Sequence, residues 1–130
     1  MLLFGHRFIE SEPFYHITNI DDIRHTPPNA LLTFAFSEEN LDIIQHCNAN
    51  ELFFALSIES TTELIYAAAL NATYIIVTQS LAQRAQKLAQ EYLFDAKILV
   101  KIEKDAEIEA MALLGIDGVI YPSAVIKITS

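Results

Sequence analysis

Glycine is scarce in this chain: three residues, Gly5, Gly115 and Gly118. None stands where a strand would turn into a helix. A phosphate cradle needs glycine there, because only glycine lets the backbone close on the anion. A dinucleotide fingerprint and a P-loop are therefore excluded. Cysteine is scarcer still. Cys47 is alone, so no internal disulfide can form, which fits a reducing compartment. Positive charge is also short, with 8 Lys and Arg against 17 Asp and Glu and a net charge of −9. That balance argues against nucleic acid, whose phosphates call for Lys and Arg. It argues equally against an anionic membrane surface. No apolar run approaches the ~18 residues of a membrane span. The opening Met1-Leu-Leu-Phe-Gly-His-Arg7 lacks the charged and then apolar layout of a signal peptide. A cytoplasmic location is the expectation.

Catalytic and metal motifs are missing as well. His6, His16, His25 and His46 make no metal-ligand spacing, and His46-Cys47 alone is not a zinc site. There is no Gly-x-Ser-x-Gly elbow. Cys47 reads as a small apolar residue on the inner face of a helix. No metal and no cofactor is expected.

What the chain has is apolar residues, 52% of the total against 19% charged. A typical domain is about 45–50% apolar, with glycine counted, and about 25% charged. The excess calls for a generous core or for a second surface that covers it. These residues fall into a repeating grammar. From Leu99 to Tyr121 the chain reads strand, acidic turn, amphipathic helix, Gly stop, strand. Ala55 to Val77 follows the same order without a gap. Ile58 matches Ile102, Glu59 matches Glu103, Glu63 matches Glu107, Ala68 matches Ala112 and Ile76 matches Ile120.

Strands are expected near 30–36, 52–58, 74–78, 96–102 and 119–121. The helices between them start at Ser37, Ser60, Ser80 and Asp105. Ser60-Thr-Thr-Glu63 and Ser80-Leu-Ala-Gln83 have the form of capping boxes. The pitch of roughly 22 residues implies βα units, a parallel sheet and right-handed crossovers. The fold class is α/β, a mainly parallel sheet of about five strands with helices on both faces. Residues 1–29 form a β-rich extension before the repeated core at 30–122, all within one domain. In that extension Leu2–Ile9 and Phe14–Ile17 are strand candidates that could pair as a hairpin or stand as successive edge elements, and Asn19 is a cap for a helical turn. Ala124 to Ile128 is a short edge piece. The alternative architecture is half of a (β/α)₈ barrel, closing only against another chain.

Two local resemblances are present. Leu114-Gly-Ile-Asp-Gly-Val-Ile120 resembles the helix end and strand of many (β/α)₈ enzymes. It covers one unit and fixes no activity. Gly5-His6-Arg7 resembles the His-Arg opening of glycerophosphodiester phosphodiesterases. That family continues with Gly, where this chain has Phe8, and with a Glu-Asn pair, where it has Glu10-Ser11 and Glu12-Pro13. His6 and Arg7 are therefore expected on an exposed strand or loop.

In parallel α/β folds ligands sit at the carboxyl ends of the strands. The candidates there are Glu59 and Glu103, for acid/base work or a divalent cation, with Lys101 as an electrostatic aid. Helix capping is the competing role for both glutamates. A different signal comes from Leu64-Ile-Tyr-Ala-Ala-Ala-Leu70, which is apolar on every side. A one-faced surface helix does not look like that. Self-association through Leu64, Ile65, Tyr66 and Ala69, as a homodimer, would cover it. The leading functional expectation is a small non-catalytic module for protein interaction or self-association. The alternative is a small-molecule-binding domain or enzyme acting at the strand ends through Glu59 and Glu103.

Overall fold

The computed structural model describes residues 1–128. Eight strands share one sheet: β1 (Leu2–Phe4), β2 (Phe14–His16), β3 (Leu31–Ala35), β4 (Phe54–Ser57), β5 (Tyr74–Val77), β6 (Lys97–Lys101), β7 (Gly118–Ile120) and β8 (Val125–Lys127). The helices are α1 (Leu41–Ala49), α2 (Thr61–Ala69), α3 (Gln79–Glu91) and α4 (Ala106–Leu113). Every strand pairing is parallel, and the order is β1-β7-β6-β5-β4-β3-β2-β8. The protein is α/β with a parallel sheet of βα units, as the repeat implies. No helix among the described residues is long and apolar enough to cross a membrane.

The strand count differs from about five because both chain ends join the sheet. β1 pairs with β7, with Phe4 opposite Ile120, and β8 pairs with β2, with Val125 opposite Phe14. The N-terminal segment is thus part of the sheet. β1 and β2 make no hairpin, since five strands separate them in the sheet order.

The faces of the sheet are also unequal. Alternate strand residues Leu32, Phe34, Leu56, Ile75, Val77, Ile98, Val100 and Val119 pack with Ile44, Cys47, Leu64, Ala67, Ala85 and Met111 of the four helices. The opposite face gathers Phe4, Phe14, Leu31, Ala55, Ile76, Leu99, Ile120 and Ala124, with no residue of α1–α4 among them. Helices therefore cover one face only. The other face closes on itself. Phe4 of β1 and Phe14 of β2 meet edge to face with ring centroids 4.9 Å apart, and Tyr74 of β5 touches both rings. Strands so far apart in the sheet order can meet only if the sheet curls. This is the half-barrel arrangement, with the chain's own end strands extending the curl.

Local chemistry explains most of the element boundaries. Ser60 Oγ accepts from Glu63 N at 3.1 Å, and Glu63 Oε1 accepts from Glu59 N at 2.9 Å. Asn19 Oδ1 accepts from Asp22 N at 2.9 Å to start a 3-10 turn at Ile20–His25. The second expected box does not form. α3 begins at Gln79 after Thr78, and Ser80 lies inside it, its hydroxyl 3.0 Å from Thr78 Oγ1. Ser37 likewise makes no side-chain cap; a short 3-10 turn at Glu38–Asn40 precedes α1. All four helices end on a residue in the left-handed region: Glu51, Asn71, Leu93 and Gly115, with φ of 54°, 68°, 52° and 72°.

Gly118 and Gly5 sit where β1 passes close. A Cβ on Gly118 would lie 2.7 Å from Leu2 Cβ and 2.9 Å from Leu2 O. Gly5 has φ +86°, and a Cβ there would lie 2.9 Å from Ala124 N. The end of β1 thus crosses the start of β8, and Ser123 Oγ donates to Gly5 O at 3.0 Å.

Candidate functional site at the strand carboxyl ends

A cleft of about 770 Å³ opens where the strands end. Its floor is aliphatic, with Ile76, Ile102, Ile120 and Val125. Its rim is polar, with His16, Ser57, Thr78, Gln79, Tyr121 and Lys101. Glu59, Glu103 and Glu107 line it too. The volume falls in the range of roughly 300–1,000 Å³ usual for small-molecule pockets. The curl of the sheet creates it: the inner face is plugged by the Phe4–Phe14–Tyr74 cluster, while Phe14 and Tyr74 are the first residues of their strands. Phe4 is the last residue of β1 and stands opposite Ile120, which lines the cleft, so the plug forms the inner boundary of the opening.

The three sequence candidates all reach this cleft. Lys101 is the last residue of β6, exposed, and in no ion pair among the described residues. Glu59 and Glu103 are exposed and occupy equivalent places after β4 and β6. Their carboxylates do not cap the helices. That work falls to the residues four places on. Glu63 Oε1 takes the Glu59 N–H, and Glu107 Oε1 takes the N–H groups of Glu103 and Lys104 at 3.1 and 2.9 Å. Glu107 also accepts from the Gln79 side chain at the start of α3. These donors, Gln79 first, hold the Glu107 carboxyl below the usual carboxylate range. No hydrogen bond or ion pair among the described residues engages the Glu59 or Glu103 carboxylates. The same residues form no group of three or more His, Cys, Asp or Glu able to hold a metal.

Sequence reasoning missed a second cluster beside the cleft. His6, expected on an exposed segment, has a side chain only 8% exposed. Its Nδ1 accepts from Phe8 N at 3.1 Å, which assigns the ring proton to Nε2, 3.2 Å from Asp105 Oδ1. Arg7 Nη1 donates to Asp105 Oδ2 at 3.2 Å, and the Tyr121 hydroxyl donates to Asp105 Oδ1 at 2.5 Å. The Tyr121 bond leads the causes that hold the Asp105 carboxyl below its ordinary value. Burial, and then the adjacent carboxylate, push the Tyr121 phenol up to about 12. Both nitrogens of the His6 ring are engaged, so no lone pair is free for proton abstraction. The cluster is a clasp that fastens the end of β1 to the start of α4 and the end of β7. Its signal in the sequence was the Gly-His-Arg triplet, but its partners lie about a hundred residues away.

The remaining candidates stay apart. Cys47 is fully buried in the outer core, and burial pushes its thiol up to about 11, so it is no nucleophile. His16 lines the cleft, whereas His6 is held in the clasp. Leu64 is 1% exposed and packs in the core, so it cannot belong to an interaction surface. The outer side of α2 is Ile65, Tyr66 and Ala69, all exposed. No protein-family model matches the chain, and comparison with curated protein sequences finds no match.

Proposed function

We propose that the protein is a small-molecule-binding domain whose ligand occupies the cleft at the strand carboxyl ends. The ligand has an apolar body and a cationic amine. One observation carries this reading: the cleft joins an aliphatic floor to two carboxylates, Glu59 and Glu103, that folding does not use. The body of the ligand covers Ile76, Ile102 and Ile120. Its ammonium faces Glu59 and Glu103, where charge-assisted hydrogen bonds are the strong ones. Lys101 sets the limit on how much positive charge the site accepts.

The same geometry disfavours phosphates. In parallel α/β proteins an anion takes the backbone N–H groups at a helix start. Here Glu63 and Glu107 already fill that role at α2 and α4, and the Glu107 carboxylate also stands against Gln79 at the start of α3.

The test is an NMR titration of the ¹⁵N-labelled chain with butylamine and phenethylamine, and with the carboxylates of the same skeletons. The amines at millimolar concentration are expected to shift the amides of Ser57, Glu59, Lys101 and Glu103. The carboxylates are expected to leave them in place. The double variant Glu59→Gln/Glu103→Gln, which keeps the shape of both side chains, is expected to lose the response. Amine shifts that persist in that variant, or an equal response to the carboxylates, would overturn the reading.

A further inference from the structure

The helix-covered side of the molecule carries an apolar face remote from the chemistry of the cleft. Phe53, Ile65, Tyr92 and Leu93 are 57%, 41%, 68% and 84% exposed. Between α2 and the end of α3 runs a groove of about 1,020 Å³ floored by Ala68, Ala69 and Ala72, with Tyr92 and Leu93 on its rim. Monomers rarely leave so many large apolar side chains together in water.

Leu93 is the informative residue. It occupies the left-handed position that ends α3. The equivalent positions after α1, α2 and α4 hold Glu51, Asn71 and Gly115, of which Asn and Gly adopt this conformation with least strain. A leucine is disfavoured there, and its side chain is the most exposed of the large hydrophobic residues. The backbone turn holds the side chain out as a knob.

We infer that two copies of the chain pair through this face about a two-fold axis, the Tyr92–Leu93 knob of each seated in the alanine-floored groove of the other. An isologous interface must be self-complementary, and this patch holds both the knob and the hole. Size supports the pairing. Taking about 200 Å² for each large side chain, these four residues expose roughly 500 Å² before the alanine floor is added, more than half of the ~800 Å² that each partner contributes to a standard interface. Charge permits it as well. The groove lining includes one charged side chain, Asp95, so the net charge of −9 is not concentrated on this surface. The pairing does not depend on what the cleft binds.

Sedimentation velocity over a concentration series tests the inference. The intact chain is expected to move reversibly from 14.6 kDa to twice that mass. Leu93→Gly keeps the left-handed turn and relieves it, so this variant folds. It is expected to raise the dimer dissociation constant about tenfold or more. Ile65→Lys on the opposite wall is expected to act in the same direction. Leu113→Ser changes an exposed leucine of α4 outside the patch and is expected to leave the association unchanged. A chain that stays monomeric at every concentration overturns the inference and assigns the face to a different partner. A dimer indifferent to both Leu93→Gly and Ile65→Lys overturns it too, and places the contact elsewhere.

Discussion

The Phe4–Phe14 contact measures whether the sheet curls in solution. The two strands stand six steps apart along the sheet. In a flat sheet, at ~4.8 Å per step, their side chains would be roughly 29 Å apart. Residues at that distance, sharing no partner, have additive effects on stability within ~0.3–0.5 kcal/mol. In the curled sheet the rings meet at 4.9 Å with an interplanar angle of 81°. An edge-to-face pair of this kind is worth about 0.5–1.5 kcal/mol beyond its buried area. Phe4→Leu and Phe14→Leu keep an apolar side chain and remove the ring, and each is expected to cost about 1–2 kcal/mol. The double variant should be less destabilised than the sum of the two, by about 1 kcal/mol. Urea unfolding followed by circular dichroism reads all four proteins, with unchanged m-values required so that midpoints convert to free energies. A coupling of zero would refute the curl, and with it the origin of the cleft. Because Tyr74 touches both rings, the same cycle in a Tyr74→Leu background reports how far the plug acts as one unit.

Three further outcomes follow from the geometry. Gly118→Ala is expected to destabilise by about 1–3 kcal/mol, because its Cβ would collide with Leu2 Cβ at 2.7 Å and Leu99 Cδ2 at 2.8 Å; a thermal melt checks this, and an unchanged Tm would mean β1 does not lie on β7. The clasp should make stability fall in acid. The Asp105 carboxyl is held below its unfolded value of about 3.9, chiefly by Tyr121, so its contribution is complete above that value and lost as pH falls through the lower folded one; Asp105→Asn should flatten the stability–pH profile in that window, and an unaltered slope would show the clasp to be open in solution. Cys47 should resist an aromatic disulfide reagent in the native protein, being fully buried with its thiol raised to about 11, and react at once in urea; rapid native labelling would contradict the packing of α1.

What could be read from the chain alone was local in origin. The repeat that matches Ile58 with Ile102 and Ile76 with Ile120 identified βα units and a parallel sheet, because strands buried on both faces leave nearly continuous apolar runs at a fixed pitch. Ser60 with Glu63, and Asn19 with Asp22, announced helical starts through hydrogen bonds spanning three or four residues. The positions of Glu59, Glu103 and Lys101 at strand ends were legible for the same reason, since the end of a strand and the side on which a parallel sheet presents its ligand follow from the order of elements. Their freedom from capping was not legible. It depended on Glu63 and Glu107 reaching back to the backbone. Ser80 resembled Ser60 in sequence, yet α3 starts earlier because Thr78 and Gln79 already occupy its entry.

Tertiary structure decided how the sheet is closed. Three-residue strands such as Leu2–Phe4 and Val125–Lys127 carry too little pattern to reveal a partner, and theirs lie at the far end of the chain. Once paired, they bring Phe4 onto Phe14, remove the need for helices on the inner face, and leave the cleft at the carboxyl ends. The clasp of His6, Arg7, Asp105 and Tyr121 belongs to the same class of fact. Each residue is ordinary in its own segment, and only the curl places them together. Local hydrogen bonds and side-chain periodicity are written within a few residues, whereas the pairings of β1 with β7 and of β8 with β2 join positions more than a hundred residues apart and exist only after the sheet has closed.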